Sequence, residues 1–182
     1  MSALQIRKMT YAALYLAIAM VLPFITGQIP EVGAMLCPMH IPVLLCGFMC
    51  GWPWGLAVGL IAPPLRFALF AMPVDFGAMA FELAAYGGMA GLLYSLLPKK
   101  NVYIYTALIL SMIAGRIAWG TVHWVTAGLS GSSFTWEMYV GSVVLGSIPG
   151  IILQIVLIPL VVIAMERAGL TLNRKRTDSK EK

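Results

Sequence analysis

Six stretches of this chain are almost free of charge, and each is long enough, or nearly so, to cross a lipid bilayer. A helix needs roughly 20 apolar residues to span the ~30 Å hydrocarbon core. The stretches run over residues 9–27, 38–51, 54–72, 77–97, 102–127 and 139–165. Only 10% of the 182 residues are charged and 60% are hydrophobic, whereas soluble domains carry roughly 25% charged residues. The expected fold is therefore all-α: a bundle of six transmembrane helices in one membrane domain, residues 1–169. A basic tail, residues 170–182, should be disordered on the cytoplasmic side. Arg7 and Lys8 ahead of the first stretch resemble the start of a signal peptide. Its apolar run is too long for one and no small-residue cleavage site follows, so it reads as a span.

Lys and Arg give the direction. Arg7 and Lys8 precede the first span, Lys99 and Lys100 separate the fourth and fifth, and Arg167, Arg174, Lys175, Arg176, Lys180 and Lys182 follow the sixth. With six spans these places share one face. Basic residues mark the cytoplasmic side, so both termini are expected there. The opposite loops hold Glu31, Asp75 and Glu137. The net charge of +5 is thus a topology signal and not a nucleic-acid footprint.

Ionisable groups inside spans are costly and usually face a cavity or a partner. On this topology His40, Arg66, Glu82, Arg116 and His123 all fall in the outer half of the membrane. Arg116, Trp119 and His123 are three and four residues apart, hence on one helical face. Trp124, Trp136 and Tyr139 gather at the same level. An interfacial aromatic belt with buried ion pairs, Arg66 with Glu82 among them, would account for much of this. Arg116 lies deeper than a belt requires, and the preferred expectation is an outward-facing small-molecule pocket. It would be built from His40, Arg66, Glu82, Arg116, Trp119 and His123, with Gly33 to His40 as a lid. The inner halves carry small residues four apart: Ala13 and Ala17, Gly51, Gly55 and Gly59, Gly87 and Gly91, Gly146 and Gly150. Such residues let helices approach closely in lipid.

Cys37, His40, Cys46 and Cys50 invite a metal reading. His40 and Cys50 would lie about 15 Å apart along a helix at 1.5 Å per residue, so they cannot share one ion. A disulfide between Cys46 and Cys50 would have poor geometry. No metal and no cofactor is expected.

The stretch from His40 to Arg66, "HIPVLLCGFMCGWPWGLAVGLIAPPLR", together with Ala13-Leu-Tyr-Leu-Ala17 in the first span, resembles the substrate-binding S components of energy-coupling factor (ECF) vitamin transporters. The likeness is to the group that includes riboflavin and pantothenate binders. It implies a multi-pass protein of the bacterial cytoplasmic membrane that captures a vitamin or related micronutrient from outside. Riboflavin, pantothenate or a queuosine-precursor-like compound would each suit. It also implies partners: a membrane coupling subunit, met by Ala13 and Ala17, and two cytoplasmic ATPases. The chain has no GxxxxGK[ST] loop, so ATP hydrolysis would belong to those partners. Three other classes make different demands, one of them a purely structural subunit, which would bind no small molecule. An intramembrane enzyme would need HExxH, GxSxG or paired ligands within the bundle, and a stand-alone porter would need a polar path through both membrane halves.

Overall fold

The computed structural model describes residues 2–26, 36–71, 75–98, 100–131, 135–143 and 147–173. The first part of the expected lid, Gly146 and the tail from Arg174 onward lie outside them. The described residues form seven helices: α1 (Ala3–Thr26), α2 (His40–Cys50), α3 (Trp52–Phe70), α4 (Phe76–Leu96), α5 (Asn101–Ser130), α6 (Trp136–Val143) and α7 (Ile148–Arg167). Five of them, α1, α3, α4, α5 and α7, are long and apolar enough to cross a membrane.

Two elements differ from expectation. The expected sixth span, 139–165, is two helices. Pro149 explains where the second one starts: it stands in the first turn of α7, where its missing N–H would have no partner and its fixed φ suits the helix. The second expected span is only the 11-residue α2, about 16 Å long at 1.5 Å per residue. It needs no lipid contact, because all its residues are buried. It sits at the centre of the bundle, packed by α1, α3, α4 and α7.

Close approach around α2 rests on glycine. A Cβ on Gly55 of α3 or on Gly47 of α2 would strike the Gly87 carbonyl of α4, and one on Gly59 would strike the Leu83 carbonyl. Backbone therefore lies on backbone across the α3–α4 seam. That yields dispersion contact, the main source of helix association where lipid is as apolar as the side chains. Gly51 joins α2 to α3 at φ 101°, a conformation that favours glycine.

Lys8 near the start of α1 and residues 172–173 after α7 meet the same end of the bundle. The Leu172 amide donates to the Met49 carbonyl (2.9 Å), and the Asn173 Nδ2 amide donates to the carbonyls of Gly47 (3.4 Å) and Gly91 (3.0 Å). The Lys8 ammonium approaches the same spot, beside Gly51. The Tyr94 hydroxyl donates to the Glu166 carboxylate nearby. Residues 170–173 are thus tied to α2 and α4.

Candidate functional site

At the other end of α2 the polar residues converge. His40 opens the helix behind a turn in which its amide donates to the Cys37 carbonyl (3.0 Å). Cys37 itself takes a left-handed backbone, φ 47°, uncommon for a residue with a Cβ. Glu82 comes from the second turn of α4 and Arg116 from the middle of α5. The Glu82 Oε1 oxygen stands 2.9 Å from Arg116 Nη1 and 3.4 Å from His40 Nε2. The Glu82 side chain is 4% exposed, that of His40 3% and that of Arg116 16%.

The surrounding shell was less visible in the sequence. Tyr86 follows Glu82 by one turn of α4, and the His40 ring stands edge-on to it at 5.0 Å between centroids. The i, i+4 spacing of Glu82 and Tyr86 is the signal that could have found it. The Cys37 thiol lies within hydrogen-bonding reach of Arg116 and of Ser147, just ahead of α7. Nothing in the spacing of Cys37 or Ser147 announces this meeting of distant segments. From α6, the Tyr139 hydroxyl donates to the Arg116 carbonyl (3.3 Å), and its ring packs where a side chain on Gly120 would otherwise lie.

The other expected site residues are placed in two further groups. Trp119 and His123 continue up α5 from Arg116 with their rings 4.0 Å apart, and His123 Nε2 pairs with the Asp75 carboxylate at 2.8 Å. Arg66 turns to α1. Its Nη1 donates to the Met20 carbonyl at 2.7 Å, and its guanidinium lies over the rings of Phe24 (4.8 Å) and Phe70 (5.5 Å). The described ion pairs of Glu82 go to His40 and Arg116 and not to Arg66.

Two cavities lie along α5, the smaller of them beside Arg116. A groove of about 530 Å³ is lined by Ile117, Gly120, Trp124, Trp136 and Tyr139 among others. Below it a cavity of about 380 Å³ is lined by Tyr86, Met112, Arg116, Tyr139, Ile151 and further isoleucines. Tyr139 and Ile117 belong to both walls. Among the described residues, Arg116 is the one charged residue in the lining of the lower cavity. The cluster beside it is short of hydrogen bonds. Among the described residues His40 Nδ1 and Nε2, Glu82 Oε1 and Arg116 Nε are buried with no aligned partner. The ion pairs supply proximity without hydrogen-bond geometry. Over nine in ten buried polar groups in folded proteins do find partners, so four such atoms side by side are unusual; Gln154 Oε1 on α7 is a fifth. Among the described residues no group of His, Cys, Asp and Glu could hold a metal ion.

On α1, Ala12, Tyr15 and Ala19 face the bundle, whereas Ala13 and Ala17 are exposed on the opposite side with Leu14, Ile18 and Val21.

No curated protein and no solved structure matches the chain. A family model does: the one described as ECF transporter, substrate-specific component, which covers residues 7–162. The match spans all seven helices apart from the two ends, and the chain, a multi-pass all-helical membrane protein, belongs to that family of substrate-binding transporter subunits.

Proposed function

We propose that this chain captures a vitamin-like small molecule from outside the cell and delivers it through a coupling subunit driven by two ATPases. The capture site is the cluster of His40, Glu82 and Arg116 with the cavity beside it, and Trp119 and His123 stand above it on α5. The observation that carries this reading is the set of buried polar atoms without aligned partners at the edge of an otherwise apolar cavity. A core that merely packs would leave no such set, since each unmade buried bond costs about 1–3 kcal/mol. In this reading the basic ends of the chain lie in the cytoplasm and the His40 end of α2 faces outward. Ala13 and Ala17 form the face that meets the coupling subunit. Riboflavin, pantothenate and a deazapurine remain the candidate cargoes.

The test is a thermal-unfolding screen of the purified chain with these micronutrients, alongside mass spectrometry of what co-purifies. A ligand at 100 times its dissociation constant stabilises the folded state by about 2.7 kcal/mol, and such a shift is expected for one of them. Transport by the chain alone in liposomes would point instead to a stand-alone porter.

A further inference from the structure

The polar end of the lower cavity is electrically balanced before any ligand arrives. The fixed charges there are one carboxylate and one guanidinium, 2.9 Å apart. His123 and Asp75 pair with each other at 2.8 Å, and Arg66 is engaged with α1. The other described residues of the cavity wall are apolar or tyrosine. A ligand acid seated against Arg116 would stand within a few ångströms of the Glu82 carboxylate. Like charges so placed cost several kcal/mol, and the apolar wall offers no second cation. Burying a net charge there without its own partner is unfavourable.

The open bonds have a mixed character. Arg116 Nε offers a donor, Glu82 Oε1 an acceptor, and the His40 ring adds two nitrogens. They sit next to one another, and the Tyr86 ring flanks both His40 and the cavity.

We infer that the cargo is an uncharged molecule carrying a donor and an acceptor on neighbouring atoms, as the amide edge of a nitrogen heterocycle does, and that acids are rejected by Glu82. This rests on the capture reading above and narrows it: among its candidates it favours a neutral flavin or deazapurine over pantothenate. Glu82 becomes the specificity-determining residue, and Arg116 serves as its counter-charge and as one donor.

The experiment is a binding panel of matched pairs on the full chain in detergent at neutral pH. The pairs are riboflavin with riboflavin 5′-phosphate, pantothenol with pantothenate, and pyridine-3-carboxamide with pyridine-3-carboxylate. The molecule retained by the chain on extraction from membranes is identified by native mass spectrometry in parallel. The expected result is that the neutral member of any pair that binds does so at least about tenfold more tightly, and that the retained molecule is neutral. Glu82→Gln should shrink that ratio, because it removes the repulsion while keeping an acceptor. Where that variant does not fold, the ratio measured on the unaltered chain decides. An acid that binds as tightly as its neutral partner, or an acid retained on extraction, overturns the inference and leaves the capture reading standing. If no panel member binds and nothing is retained, both fall.

Discussion

Arg116 and Arg66 are both arginines set into apolar helices, yet they are stabilised in different ways. Arg66 is 8% exposed and spends its charge on a backbone carbonyl and two phenylalanine faces of its own neighbourhood. Arg116 faces a carboxylate. Removing one partner of a buried pair strands the other, at about 3–5 kcal/mol, whereas removing both can be nearly neutral. Arg116→Met alone should therefore destabilise the chain by about that much, and Arg116→Met with Glu82→Gln should recover most of the loss. Thermal unfolding of the three forms in one detergent reads this directly. An additive double variant would mean the pair is not coupled. Hydropathy and the alternation of basic loops were enough to put His40, Glu82 and Arg116 at one depth. They could not say which arginine meets Glu82, because depth fixes a level along the helix and not the direction a side chain points. That direction depends on how each helix is rotated against its neighbours, and α3 and α4 meet along their glycines.

Those glycine contacts belong to the scale of the helix pair. Gly87 and Gly88 are adjacent on α4 and would be hard to tell apart in the sequence. A Cβ on Gly87 would press into the backbone of Gly55, where nothing can yield without parting the helices, whereas one on Gly88 would meet the Leu56 side chain at 3.5 Å, an ordinary contact. Gly87→Ala should thus cost about 1–3 kcal/mol of overpacking and shift the α3–α4 crossing. Gly88→Ala should be close to neutral or slightly stabilising, since alanine loses less backbone freedom in a helix. Equal melting temperatures for the two variants would sink the argument. The four-residue spacing of Gly55 and Gly59, and of Gly87 and Gly91, was legible as a packing signal; the structure sets Gly55 against Gly87, Gly59 against Leu83, and Gly91 against Gly51. The start of α7 was written in Pro149 but hidden by the surrounding hydropathy, which stays high on both sides. The length of α2 was uncertain for the opposite reason: a helix enclosed by protein on all sides has no need to match the thickness of a bilayer.

For the whole molecule the informative contrast is between a central helix with every residue buried and a first helix with few. Only 17% of the most apolar stretch of α1 is buried, against 56% for α4. In a bilayer such exposure needs no explanation by itself, since lipid covers apolar side chains as well as protein does. What distinguishes α1 is that its exposed side carries Ala13 and Ala17 one turn apart, flanked by Leu14, Ile18 and Val21. Two alanines a turn apart leave a shallow track into which another helix can settle backbone to backbone. The larger residues beside them would form its edges. The His40, Glu82 and Arg116 cluster lies at the opposite end of α2 from residues 172–173, and α1 packs against both α2 and α3. A partner seated on α1 would therefore leave the cavity between α4, α5 and α7 uncovered, so docking and ligand binding are separable. Ala13→Leu or Ala17→Leu is expected to leave ligand affinity within about twofold, because neither side chain touches the cluster, and to abolish uptake in cells that also make the coupling subunit and ATPases, because a bulky side chain fills the track. The two measurements must be made on the same variants. Uptake that survives both substitutions would move the docking surface off this face of α1, and a parallel loss of affinity would show that α1 shapes the site through α2 instead.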